Sequence, residues 1–146
     1  MKGLQRFPKS GDLYMYFADF LFMESGNPVI ANSMYQKALR LEPDNIRFNN
    51  NYAAFLYISN QRKISSHKVL KKIEAQFEKT FRLDPDNSII VSNLANFYYR
   101  FKHDIEKAKN TFKIVFEKDS FNPNILFPLC EISAGKQRAG IRQTIP

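Results

Sequence analysis

Leu41-Glu42-Pro43-Asp44-Asn45 returns 42 residues later as Leu83-Asp84-Pro85-Asp86-Asn87. In each copy the proline ends one helix, because it has no N–H to donate and its ring clashes with the preceding turn. The Asp and Asn side chains after it stand where they cap the next helix. Ahead of the first copy lie Ala31, Tyr35 and Ala38, and the same offsets ahead of the second hold Ile73, Phe77 and Thr80. A third set, Ala108, Phe112 and Val115, follows 35 residues further on. Steps of four and three keep such residues on one face of a helix.

A second pattern precedes each of these sets. Tyr14-x-x-Phe17-Ala18-x-x-Leu21 is followed by Tyr52-Ala53-x-x-Leu56 and by Val91-x-x-Leu94-Ala95-x-x-Tyr98. The small residues Ala18, Ala53 and Ala95 are 35 and then 42 apart, whereas Ala31, Ile73 and Ala108 are 42 and then 35 apart. The swap places the extra residues between the two helices of the second unit. Asn49 stands there in place of the large residue that leads the pattern elsewhere.

Three degenerate units in register resemble the tetratricopeptide repeat family, whose helix–turn–helix carries a large-x-x-Leu-small-x-x-Tyr pattern, then Ala-x3-Phe, then Pro. The resemblance covers residues 11–122, with units near 11–45, 46–87 and 88–122; in the third, Ser120 occupies the proline position. It implies an all-α fold, a right-handed α-solenoid of antiparallel helix pairs. Tyr14-x-x-Phe17-Ala18-Asp19-Phe20 is also similar to the first helix of the half-repeat family of RNA-processing scaffolds, but the breaks at 43–45 and 85–87 favour the former.

Local signals predict helices near 11–24, 28–41, 45–59, 65–82, 87–102 and 104–118. Asn27-Pro28 is a cap followed by proline at the first helical position, with Gly26 serving the turn. Ser65 or Ser66 starts the fourth helix, a turn or two longer than its counterparts. Residues 123–132 form a partial fourth repeat or capping helix, with Cys130 at the small position and Pro128 expected to deform it. Residues 1–10 and 133–146 are basic end segments, the latter expected to be disordered.

The small residues mark close approach of helix backbones, and Phe17, Tyr35, Tyr52, Phe77, Leu94 and Phe112 fill the space between helices. At 146 residues, 44% hydrophobic and 14% aromatic, the chain buries one modest core and is not a disordered polymer. A single cysteine excludes an internal disulfide framework, and no glycosylation sequon occurs. The longest apolar run, Leu13 to Met23, is too short to span a bilayer. The expectation is a cytoplasmic or nuclear protein, neither secreted nor transmembrane.

No catalytic residue is expected. His67 and His103 have no partner at metal-ligand spacing, and there is no phosphate loop or nucleophile elbow. Asp44, Asp84 and Asp86 read as caps. Neither a metal nor a cofactor is implied.

The resemblance implies a concave surface, lined by the first helix of each unit, that receives a peptide or helix of another protein. By register it carries Tyr16, Asp19, Arg47, Asn51, Tyr57, Asn93, Asn96, Tyr99 and Arg100, together with Met15 and Ser92. An amide such as Asn51 or Asn93 both donates to and accepts from a peptide backbone. The clamp for acidic chaperone tails needs Lys and Asn, then Asn, then Lys and Arg; here Met15, Asp19, Asn51, Ile89 and Asn93 occupy those places. Only Asn51 fits, so such a tail is not the expected partner.

The net charge of +8 is concentrated at the two ends and in a patch of Arg62, Lys63, Lys68, Lys71 and Lys72, which leaves the remainder net acidic. Such runs bind nucleic acid or anionic membrane in some proteins, but exposed lysines more often only solvate a surface. Self-association through the incomplete C-terminal end is a further expectation.

Overall fold

The computed structural model describes residues 9–60, 66–117 and 123–133, and every regular element among them is helical. The helices are α1 (Gly11–Met23), α2 (Pro28–Leu41), α3 (Ile46–Ser59), α4 (His67–Leu83), α5 (Ser88–Phe97), α6 (Ile105–Phe116) and α7 (Pro123–Ser133). A π-helical turn, Tyr98–Lys102, continues α5. These limits follow the sequence-derived spans within one or two residues. The chain divides into two compact units, Met1–Pro85 and Asp86–Pro146.

Short polar side chains set the starts of α1, α2, α3, α5 and α6, whereas Ser66 stands at the N-cap of α4 without a side-chain cap bond. Ser10 Oγ accepts from Leu13 N–H at 3.2 Å, and Asn27 Oδ1 accepts from Ile30 N–H at the same distance. Asn45 Oδ1 takes Phe48 N–H, Asn87 Oδ1 takes those of Ile89 and Ile90, and Asp104 Oδ1 takes that of Lys107. Each bond satisfies a first-turn donor that has no partner within its own helix. The repeated Pro-Asp-Asn motif thus caps through its asparagines. Asp44 instead faces Lys79 Nζ at 3.7 Å, which corrects its reading as a cap, while Asp84 stands at the C-cap position of α4.

In the first unit, α1 packs on α2, α3 on α4, and α2 on α3. Ala18, Ala31 and Ala53 are fully buried, so the backbones meet where a larger side chain would hold them apart. Tyr35, Tyr52, Phe55 and Phe22 close the space between α1, α2 and α3. The rings of Tyr35 and Phe55 lie 4.7 Å apart, and Phe22 meets Phe55 edge-on at 5.1 Å. Phe17 is only half-buried, stacked along α1 on Phe20. With 17 residues against 14 in α2, α4 carries the extra length expected of it.

Asn49 departs from the repeat pattern without leaving the core. It is fully buried, and its Nδ2 donates to Pro43 O at 2.8 Å and Asn45 O at 2.9 Å. Its Oδ1 accepts from Gln76 Nε2 of α4 at 3.0 Å. One amide therefore ties the α2–α3 turn, α3 and α4 together. Thr80 is buried in a small-residue position because its hydroxyl bonds back to Gln76 O at 2.9 Å.

In the second unit α5 packs on α6, and α7 packs on both. Ala95, Ala108 and Phe112 are fully buried. After the π turn His103 adopts φ 52°, and Asp104 N–H donates back to Tyr98 O at 3.1 Å. The chain thereby reverses within two residues. Helix α7 runs through Pro128 without a break, and Ile132 is buried. Cys130 is exposed, which corrects its assignment to a buried small position. Residues 1–8 and 134–146, where the basic ends were placed, lie outside the described residues.

Candidate functional site

The outward faces of α1 and α3 in the first unit carry a connected polar surface. Tyr16 is 60% exposed, at one turn's spacing from Asp12 and Phe20. Arg47, in the first turn of α3, donates to Tyr16 Oη at 3.0 Å and pairs with the Asp12 carboxylate. Its guanidinium sits 5.4 Å from the ring centres of both Tyr16 and Phe48. A flat cation between two rings gains from their negative faces, and the bidentate fork fixes its direction. The result is an exposed arginine whose position is already set.

One turn along α1, Asp19 is half-buried and both its oxygens are engaged. Oδ1 accepts from the Tyr35 hydroxyl of α2, and Oδ2 accepts from Asn51 Nδ2 of α3 at 3.4 Å. Asp19 therefore joins three helices beneath the surface. Among the described residues, Asn51 Oδ1 accepts no hydrogen bond, which leaves a carbonyl of the kind that receives a peptide N–H. Tyr57 is half-buried at the far end of α3.

Met15 and Ser92, expected on the open face, are buried. Period alone assigned them outward, but each lies at the margin of the face, where the neighbouring helix decides. In the second unit, Asn93, Asn96 and Tyr99 are half-buried and Arg100 is exposed. Tyr99 and Arg100 lie in the π turn, whose wider winding shifts their direction from the one a uniform 3.6-residue period gives. Of the basic patch, Lys68, Lys71 and Lys72 are exposed on α4, while Arg62 and Lys63 lie outside the described residues.

Burial, followed by the hydrogen bond to Asp19, pushes the Tyr35 hydroxyl far above the ordinary tyrosine range. The unfolded chain ionises Tyr35 near pH ~10 while the native one does not. The stability this contributes is whole below that pH and is lost as pH rises above it, at up to about 1.4 kcal/mol per pH unit. Alkaline melts should show Tyr35→Phe losing less stability between about pH 9 and 11 than the parent. Parallel losses in the two proteins would refute that origin.

Among the described residues, no group of three or more potential metal ligands occurs, and no helix is long and apolar enough to cross a membrane. No protein-family profile and no curated sequence matches the chain. Solved structures do. The first tetratricopeptide domain of Spaghetti (RPAP3), bound to the HSP90 peptide SRMEEVD, superposes with a TM-score of 0.68 at 18% identity, over 86% of this chain and 94% of that one. A structure of pilF from Pseudomonas aeruginosa aligns over 92% of this chain and 76% of its own at 20% identity, with a TM-score of 0.38, and carries no weight here. The capped, all-helical pairs and the superposition on the RPAP3 domain together establish that this chain has the tetratricopeptide-repeat fold.

Proposed function

We propose that the chain is a non-catalytic interaction module whose α1–α3 face holds an extended peptide or a helix of another protein. The observation that carries this reading is the Asp12–Arg47–Tyr16 assembly with the open Asn51 carbonyl beside it. Arg47 and Tyr16 are held by cross-helix bonds before any ligand arrives, so little side-chain freedom is lost on binding. Their residue types are the ones that dominate protein interfaces. That the RPAP3 domain was solved with a peptide bound supports a protein partner of this kind. In the second unit, Asn93, Asn96, Tyr99 and Arg100 are proposed as that unit's own contacts.

An acidic chaperone tail is not the proposed guest. Asp19 brings a carboxylate to one clamp position, and Met15 is buried at another. Affinity capture followed by partner identification should therefore lose its specific partner, by about tenfold or more, when Arg47 or Asn51 is changed to Ala. The peptide SRMEEVD should bind weakly and without regard to Asn51→Ala. Capture unaffected by both alanine changes would refute the face assignment, and tight SRMEEVD binding abolished by Asn51→Ala would refute the exclusion.

A further inference from the structure

A cleft of about 320 Å³ opens in the first unit, away from the α1–α3 face, where the start of α2, the end of α3 and the second turn of α4 meet. Its floor is apolar, formed by the buried side chains of Phe55 and Leu56. Val29, 79% exposed, stands at its edge beside Pro28. Its polar lining includes Ser59 and Lys72. Hydrophobic side chains left at a rim of this kind, next to a floor already in the core, provide a seat for one aliphatic side chain.

Among the described residues, the one charged side chain in the lining is Lys72. Lys68, Lys71 and Lys72 share one exposed face of α4 at spacings of three and four, and none of them has an ion-pair or hydrogen-bond partner among the described residues. From Ser59 to Lys72 the chain contains no Asp or Glu. By contrast Lys79, further along the same helix, is committed to Pro43 O at 2.7 Å and to Asp44. Lys72, which lines the cleft, and Lys68 and Lys71 on the same helix are not committed in this way.

We infer that this cleft is a second docking site, which takes an acidic peptide segment through one aliphatic anchor seated on Phe55 and Leu56 and carboxylates paired with Lys72 and its neighbours on α4. A bare polyanion such as nucleic acid matches the lysines but leaves the apolar floor unused. A membrane surface cannot enter a hollow of this size. The site is separate from the α1–α3 face and stands or falls independently of it.

The test is titration of the ¹⁵N-labelled full chain with the acidic peptide EELEE, followed by NMR. Shifts are expected at Val29, Ser59 and Lys72, and not at Tyr16, Arg47 or Asn51. Lys72→Glu should weaken binding about tenfold, through charge reversal. Replacing the peptide's leucine with serine, or Val29→Asp in the protein, should weaken it by about tenfold or more through loss of the apolar contact. Both protein substitutions are at exposed positions, so folding is retained and the unchanged spectrum elsewhere verifies it. Shifts centred on Arg47 and Asn51, or none at millimolar peptide, overturn the proposal. So does binding of EESEE as tight as that of EELEE. A duplex of about 20 base pairs that outcompetes the peptide regardless of Val29→Asp would assign the lysines to nucleic acid instead.

Discussion

Changing Asn49 to Asp is expected to destabilise the first unit by about 3–5 kcal/mol at neutral pH. The two side chains have nearly the same shape, so packing is not what changes. Nδ2 of Asn49 lies 2.8 and 2.9 Å from the carbonyl oxygens of Pro43 and Asn45, in a side chain with no exposure to water. An oxygen there sets a buried negative charge against two carbonyl dipoles, and Gln76 Nε2 offsets it from one side only. Desolvation and this repulsion raise the native pKa of the introduced carboxyl above its unfolded value of about 4. A raised native pKa means that stability is lost as pH rises, so the deficit should be small near pH ~4 and grow towards ~7. Denaturant melts at several pH values measure it; a deficit that does not vary with pH would refute the buried-charge account.

Asn49→Leu gives the contrasting case. Pro43 O keeps its bond from Lys79 Nζ, Asn45 O keeps the backbone N–H of residue 49 at 3.0 Å, and Gln76 Nε2 keeps the backbone carbonyl of residue 49 at 3.4 Å. No buried group loses its last partner, so the cost should stay near 1 kcal/mol. The repeat pattern calls for a large apolar residue at this place, and the structure explains why an amide is accepted there.

The second large effect is Phe112→Ala, expected to cost about 3–5 kcal/mol. Phe112 has no exposure, and its helix α6 packs on both α5 and α7, so neither neighbour alone can collapse into the space left behind. Set against the roughly 5–15 kcal/mol by which a domain is stable, such a loss leaves the second unit near its unfolding threshold. Ile114, two residues away and 38% exposed, is the internal control: its change to Ala should cost about 1 kcal/mol or less. Urea midpoints that fall equally for the two variants would show that the burial of Phe112 does not set its contribution.

Helix positions were legible because the signals that set them are local. Asn27, Asn45, Asn87 and Asp104 each act within three residues of themselves, and the prolines at 43 and 85 act on the turn before them. The buried alanines Ala18, Ala53 and Ala95 were legible as well, since a small residue returns in every unit where backbones touch. The π turn after Phe97 had no such sign in the sequence, nor did the left-handed backbone at His103. Both are products of how α5 must end for α6 to fold back on it.

The candidate site was less legible. Tyr16, Asp19, Arg47 and Asn51 were located by register, but their division of labour was not. Register placed Asp19 and Arg47 on one face, but it did not show that Asp19 ties α1, α2 and α3 together or that Arg47 is clamped by Tyr16 and Asp12. The partners are 16 to 35 residues apart in the chain, beyond the reach of any periodicity. The cleft beside Lys72 involves three helices and had no sequence signature except the absence of acid around it.

By itself, then, the sequence determined that this chain is a series of capped helical hairpins in which small residues mark the backbone contacts, because capping and period are decided within a few residues by sterics and first-turn hydrogen bonding. Tertiary structure alone decided which margin residues turn inward, as Met15 and Ser92 do, and which polar groups stay available to a partner. That choice depends on the surface an incoming helix presents, and a side chain's burial is settled only when that helix has packed against it.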